Sequence, residues 1–251
     1  MLRPRIICSL LIDNGDLVKT KKFADPIYIG DPINTIKIFN EKRTDEICIF
    51  DISARINEKI NFDILEKIAN VSRMPISYGG GIFCIDQIEK ILSMGLEKVI
   101  LNSEILVNKN FKLLEDSIKK FGSQSIAVCI DVIEIDQMLY AYNKLNNYKI
   151  ILKDYLNKIN DYQYGELIIN SVSDDGCMDG YNIKILEYIN DKTKVPITII
   201  GGAGKLDDLI SVSKKFNISG YGCGSIFCFK QRRGTVLINY FDDKDKSLIS
   251  F

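Results

Sequence analysis

A (β/α)8 barrel built from two similar half-barrels, filling residues 1–251 as a single domain, is the fold this sequence predicts. Three observations carry it. Eight short apolar runs rich in β-branched residues recur at 5–12, 46–52, 76–80, 98–102, 125–131, 165–171, 197–202 and 220–225. They are continuous rather than alternating, as strands covered on both faces of a parallel sheet are, and most gaps between them hold a helical apolar pattern. The halves also repeat. Gly79-Gly80-Gly81 closes the third run and Gly201-Gly202-Ala203-Gly204 the seventh, 122 positions later; Asn102-Ser103 and Gly224-Ser225 close the fourth and eighth at the same spacing. A doubly wound open sheet is the alternative arrangement.

The elements follow in order. The first run, up to Ile12, sits behind two arginines, which outlines a signal peptide. It is at the lower length limit, lacks a small-residue cleavage site and meets Asp13 at once, so it reads as a buried strand. Asp31-Pro32 then opens a helix as N-cap and first helical residue, with Ile33, Ile36, Ile38 and Phe39 as its apolar stripe. Phe62, Ile64, Leu65, Ile68 and Ala69 mark the second helix, and Ile88, Ile91 and Leu92 the third. Two connections exceed what packing requires. One, 13–30, carries Lys19, Lys21, Lys22 and Phe23; the other, 132–151, reads as a small hairpin over 138–143 with Asn146-Asn147. Both follow strand C-termini, where barrel enzymes keep their active sites.

Composition narrows function by exclusion. Lysine plus arginine and aspartate plus glutamate each number 33, so no excess positive charge exists for nucleic acid or a polybasic membrane contact. There is no histidine, which removes His-based acid–base catalysis, Ser-His or Cys-His nucleophiles and His-ligated metals. The seven cysteines (Cys8, Cys48, Cys84, Cys129, Cys177, Cys223, Cys228) form no C-x-x-C pair and read as small core residues of a reduced, cytoplasmic protein. No run of 18 apolar residues exists, and no metal or cofactor is expected.

Glycine-rich strand ends let backbone approach a ligand, and N–H groups at the following turn bind anions. Gly80-Gly81 with Asn102-Ser103 makes one candidate phosphate site. Gly201-Gly202 with Gly224-Ser225, joined by Asp175-Gly176, makes a second across the mouth. Two opposed sites imply a ligand with a phosphate at each end; tight turns alone are the other explanation. Asp51 and Asp131 each end a buried run, as substrate-facing carboxylates or as helix caps. The repeat pairs Asp131 with position 11, which is Leu11, so an acid–base carboxylate pair is broken. Arg5, Glu46, Lys98 and Glu166 open four of the strands, as solvated strand-end charges or as a self-neutralising gate on the barrel axis.

Taken together these motifs resemble the cyclase subunit of imidazole glycerol phosphate synthase, over Arg5 to Phe229. The resemblance rests on Arg5-Ile6-Ile7-Cys8, Lys19, Gly30-Asp31-Pro32, Asp45-Glu46, Phe50-Asp51-Ile52, Gly79-Gly80-Gly81-Ile82, Phe121-Gly122-Ser123-Gln124, Asp131, Asp175-Gly176 with Gly180-Tyr181, and Gly201-Gly202-Ala203-Gly204. It implies a glutaminase partner whose ammonia crosses the barrel through the gate Arg5, Glu46, Lys98 and Glu166. The ammonia then reacts with a bis-phosphorylated ribulosyl ribotide, giving imidazole glycerol phosphate and an aminoimidazole carboxamide ribotide. It implies catalytic roles for Asp131 and Lys19, and ligand or phosphate contacts at Gly81, Asn102, Ser103, Asp175, Gly176, Gly202, Gly224, Ser225 and Asp51.

The departures are specific. Leu11 stands where the family's first catalytic aspartate falls, Ser173-Asp174 replaces Asp-Arg, and Cys177 replaces a threonine. A second branch, associated with acetamidino-sugar formation, resembles this chain more closely. It shares Leu10-Leu11, Leu17-Val18-Lys19-Thr20 with Lys22-Phe23, Gly30-Asp31-Pro32-Ile33-Asn34, Ile38-Phe39-Asn40-Glu41-Lys42 and Tyr78. That likeness implies an ammonia-delivering barrel working with a glutaminase and a separate sugar amidotransferase. A working histidine-pathway cyclase is the alternative, and a phosphosugar isomerase or scaffold without a glutaminase a third.

Overall fold

The computed structural model describes residues 3–230 and 234–249. Eight parallel strands close into a barrel in the order β1 (Arg5–Asp13), β4 (Glu46–Asp51), β5 (Ile76–Gly79), β6 (Lys98–Leu101), β7 (Ile126–Ile135), β10 (Glu166–Ser171), β11 (Ile197–Ile200) and β12 (Gly220–Cys223), and β12 returns to β1. Closure removes every barrel edge, which a parallel sheet of buried strands requires. All eight runs expected from the sequence are barrel strands.

Two pairs of short strands stand on the barrel's C-terminal end. β1 continues to Asp13 and folds back through β2 (Asp16–Lys21) and β3 (Ala24–Gly30), all antiparallel. β7 continues to Ile135 and folds back through β8 (Met138–Asn143) and β9 (Tyr148–Ile151). The hairpin expected over 138–143 is present. The connection 13–30 is more ordered than a loop, because its backbone pairs along β1 while its lysines interrupt any apolar pattern. The turn Asn14-Gly15 takes positive φ at both residues, as a tight hairpin demands.

The helices are α1 (Pro32–Glu41), α2 (Ile52–Ile56), α3 (Phe62–Val71), α4 (Ile85–Ser93), α5 (Ser103–Leu106), α6 (Phe111–Phe121), α7 (Leu152–Ile159), α8 (Ile183–Ile189), α9 (Leu206–Ser213), α10 (Ser225–Cys228) and α11 (Asp243–Ser247). Asp31 caps α1 by accepting the Asn34 N–H at 2.7 Å, with Pro32 at the first helical position. The ribbons after β1 and β7 correspond in the two halves, as do the four-residue helices α5 and α10. Gln87 and Asp208 also do the same work: each accepts two backbone N–H groups at the start of its helix, those of Phe83 and Cys84 or of Gly204 and Lys205.

Two apolar layers result. The larger lies between barrel and helices and takes Phe39, Tyr78, Leu114, Tyr155, Tyr221 and their neighbours. The smaller fills the barrel's interior with Ile7, Cys48, Ile100, Ala127, Cys129, Ile168 and Ile200. It separates the two ends of the barrel, which therefore can carry different chemistry. All seven cysteines are free. Among the described residues, no group of three or more Cys, Asp or Glu side chains is placed to hold a metal ion, and no helix is long and apolar enough to cross a membrane.

Candidate active site and barrel base

At the N-terminal end, the four charges anticipated from strand starts meet in one network. Arg5 donates to Glu166 at 2.7 Å and also to Glu46; Lys98 reaches Glu166 at 3.0 Å and Glu46 at 3.4 Å. Each cation thus touches both anions. Side-chain exposure is 6% for each glutamate, 14% for Lys98 and 32% for Arg5, so this is a partly desolvated plug rather than a solvated fringe. The Thr198 hydroxyl donates to Glu166, and the Ser77 hydroxyl to Glu46 at 3.3 Å, which occupies lone pairs the cations leave over. Burial pushes the Glu166 carboxyl up, but Lys98, Arg5 and the hydrogen bonds outweigh it and hold it below the ordinary range. Burial likewise opposes the charge on Arg5, and the two glutamates more than restore it.

At the C-terminal end lies a cavity of about 580 Å³, the size of a small-molecule site. Its wall includes Leu11, Lys19, Asp51, Gly81, Asn102, Ser103, Asp131, Asp175, Gly176, Gly202, Gly224 and Ser225. The fold therefore brings together every mouth residue anticipated from the sequence. What each side chain does there differs.

Asp131 stands at the end of the barrel part of β7. It accepts from Asn102 Nδ2 at 2.8 Å on one oxygen and from Asn170 Nδ2 at 3.0 Å on the other. Both amide oxygens, Asn102 Oδ1 and Asn170 Oδ1, are buried without a partner. An unsatisfied buried acceptor costs on the order of 1–3 kcal/mol, so the amides are oriented by the carboxylate rather than by their own best bonding. Burial pushes the Asp131 carboxyl up to about 6; the two amides pull it down and Asp175 pushes it up. Asp131 thus holds or releases a proton near neutral pH, as a general acid or base must.

A carbon-13 titration of the Asp131 carboxyl is expected to show a midpoint near 6, against about 4 for an ordinary aspartate. Because the folded value is raised, the group's contribution to stability is complete below about pH 4 and is lost as pH rises through 6. A midpoint at or below 4 would mean that the amide pair outweighs burial.

Leu11 lies on β1 and Asp131 on β7, the first and fifth strands of eight, hence on opposite walls of the same mouth. Position 11 thus lines the mouth with an apolar side chain, which can neither donate nor accept a proton. Lys19, on β2, is buried, and its ammonium donates to the Ser9 carbonyl. The side chain lies so close to Gly224 that a Cβ there would fall 2.3 Å from Nζ. Glycine at 224 is what admits the lysine to the second glycine-rich half.

Two carboxylates are committed to structure. Asp51 caps α2, accepting the Ala54 N–H at 2.8 Å and the Ser53 hydroxyl at 2.8 Å, with Tyr78 Oη at 3.3 Å. Burial raises its pKa, against those hydrogen bonds. Of the two uses open to this aspartate, the cap is the one built, although its edge still lines the mouth. Asp175 fastens the β2–β3 ribbon, accepting from Thr20 Oγ1 at 2.8 Å and the Phe23 N–H at 3.2 Å, while its carbonyl takes the Lys22 N–H at 2.9 Å. Burial raises this carboxyl too. These three contacts hold the ribbon over the second glycine-rich half of the mouth. The other ribbon is tied in by Asn143, which donates to Ser103 Oγ at 2.9 Å.

Asn170, Asn143, Ser77 and Thr198 were not visible in the sequence, because their roles arise only where separate strands meet. Asn170 had one available signal: position 170 points into the barrel one residue before the end of its run, where a polar residue is out of place.

Comparison with known proteins agrees with this geometry. A family model described as "Histidine biosynthesis protein" matches residues 5–233. The provisionally named imidazole glycerol phosphate synthase subunit HisF of Leptospira interrogans is 40% identical over all of both chains. The provisionally named subunit hisF3 of Vibrio vulnificus is 37% identical over 98% of this chain and 96% of its own, and hisF2 of Pseudomonas aeruginosa 37% over 96% and 97%. The subunit HisF of Sulfolobus acidocaldarius is 34% identical over 85% of this chain and 86% of its own. With the barrel, the base network and the mouth in place, these matches establish that the chain belongs to the histidine biosynthesis protein family, among its HisF-like cyclase barrels.

Proposed function

We propose that this chain is an ammonia-delivering barrel. A glutaminase docks on its base, ammonia passes the Arg5, Glu46, Lys98 and Glu166 gate, and a separate sugar amidotransferase at the mouth uses it to turn an N-acetyl group into an acetamidino group, the acetyl oxygen being first activated by a nucleoside triphosphate and leaving on its phosphorus as ammonia takes its place on carbon. The observation that carries this reading is the pairing of an intact base with a mouth in which Leu11 faces Asp131. Cyclisation of the ribulosyl ribotide calls for proton transfers on both sides of the ligand, and leucine transfers none. Delivery of a small neutral molecule calls only for a gate and a shielded path. The glycine-rich halves, with Gly81, Asn102 and Ser103 on one side and Gly176, Gly202, Gly224 and Ser225 on the other, retain a bis-phosphorylated ligand as occupant or signal.

A second reading, a working cyclase of histidine biosynthesis, is favoured by Asp131, whose burial tunes it for proton transfer near neutral pH, and by Lys19.

Reconstitution separates the two. The chain, its glutaminase and the sugar amidotransferase are incubated with the N-acetyl sugar, a nucleoside triphosphate and amide-15N glutamine as the only source of transferable nitrogen. Label is expected in the acetamidino group, and only when this chain is present. Wild-type conversion of the ribulosyl ribotide with ammonium salt, in the range of about 1–10³ per second usual for enzymes, would overturn delivery in favour of the histidine pathway.

A further inference from the structure

Among the described residues, three cations line the mouth: Lys19, Arg55 and Lys144. Two of them have a protein partner. The Lys19 ammonium donates to the Ser9 carbonyl and the Lys144 ammonium to the Phe23 carbonyl. Arg55, half-buried at the last turn of α2, is different. Its Nε is buried with no hydrogen-bond partner, and among the described residues it forms no ion pair.

The acids on the same wall do not neutralise it. Asp51 is taken by its cap, Glu104 accepts from Asn108 and Asn110, Asp131 from two asparagines, and Asp175 from the ribbon. Every carboxylate at the mouth is thus satisfied by neutral donors, and the guanidinium keeps its full charge for something else.

Its position says for what. Gly81, with φ +64°, runs so close under α2 that a Cβ there would fall 2.7 Å from the Ala54 carbonyl oxygen, so the Gly81 turn and Arg55 are immediate neighbours. Gly81, Asn102 and Ser103 form the glycine-rich half that lacks Lys19, which lies instead against Gly224. Among the described residues, each half then has one neighbouring cation: Lys19 against Gly224, and Arg55 next to the turn at Gly81.

We propose that Arg55 is the anion-binding residue of the Gly81–Ser103 half, taking one phosphate monoester of a two-phosphate ligand while the Lys19 half takes the other. Turning the guanidinium to meet the anion side-on through Nε and Nη supplies the acceptor that Nε lacks, in the bidentate geometry for which arginine is suited and lysine is not. The inference rests on the paired phosphate sites of the function proposed above and adds the residue that makes the first of them selective.

Calorimetric titration without ammonia tests it, using the bis-phosphorylated ribulosyl ribotide and the mono-phosphorylated aminoimidazole carboxamide ribotide against wild type, Arg55→Gln and Arg55→Lys. Wild type is expected to bind the two-phosphate ligand more tightly. Arg55→Gln should weaken that ligand by about tenfold or more and leave the one-phosphate ligand within about twofold. Arg55→Lys should recover only part of the loss. Retained one-phosphate binding shows that the variants are folded. An unchanged preference in Arg55→Gln would overturn the role of Arg55 and leave the paired sites standing. Equal affinities in the wild type would overturn the paired sites and Arg55 together.

Discussion

Leu11→Asp is expected to raise ammonia-driven turnover of the ribulosyl ribotide by about 10²–10⁴-fold over the wild-type chain, the usual worth of one positioned acid or base. The substitution puts a carboxyl on β1 facing the mouth, across the barrel from Asp131 on β7. The opposite member is already in place, oriented by Asn102 and Asn170 and tuned by burial to about 6. Two proton-transfer groups on opposite walls can then act on the two sides of one ligand. Leu11→Asn is the control, since it adds polarity and volume of the same kind without a transferable proton, and no gain is expected from it. Equal rates for wild type and Leu11→Asp would show that the second group comes from elsewhere in the mouth, and that Leu11 does not silence it.

Lys98→Ala should be the most damaging change at the other end. It leaves Glu46 and Glu166, each 6% exposed, with Arg5 as their sole cation among the described residues. Breaking one partner out of a buried pair costs about 3–5 kcal/mol, because the remaining charge stays buried. In a chain of this length that lowers the melting temperature by about 6–20 °C. Lys98→Met, which keeps the stem's volume, separates lost charge from lost packing. The pH dependence has a definite sign. Glu166 has a lowered folded pKa, so its stabilising contribution is present above the ordinary glutamate range and is lost as pH falls through the folded value. The gap between wild type and Lys98→Ala should therefore close in acid. On the proposed delivery function, the ratio of glutamine-driven to ammonia-driven product in the reconstituted complex should also fall, because ammonia would leak where the plug is opened. An unchanged melting temperature with unchanged coupling would mean that the four charges neither hold the base nor gate it.

The strand positions were legible because each is a local pattern: a β-branched run, a capped helix, a glycine pair. The half-barrel repeat was legible for the same reason, and the structure extends it to features no motif announces, such as Gln87 and Asp208 serving matching helix starts. Asp51 shows the limit. A strand-ending aspartate is compatible with substrate or with a cap, and only the backbone path of α2 decides that its oxygens face Ser53 and Ala54. Asp175 repeats the lesson across a longer distance, since the ribbon residues it holds, Thr20 and Phe23, lie on the opposite side of the chain's numbering.

By itself the sequence determined the barrel, its twofold construction, the residue types at base and mouth, and the leucine that interrupts the acid pair. These follow from spacing along the chain. The tertiary structure alone decided which groups act on which: that Asn170 comes to hold Asp131, that Asp51 and Asp175 are drawn into caps and ribbons, and that Arg55 is left beside Gly81 with a donor unspent. Hydrogen bonds and burial depend on distance through space, and barrel closure brings together side chains that no periodicity relates.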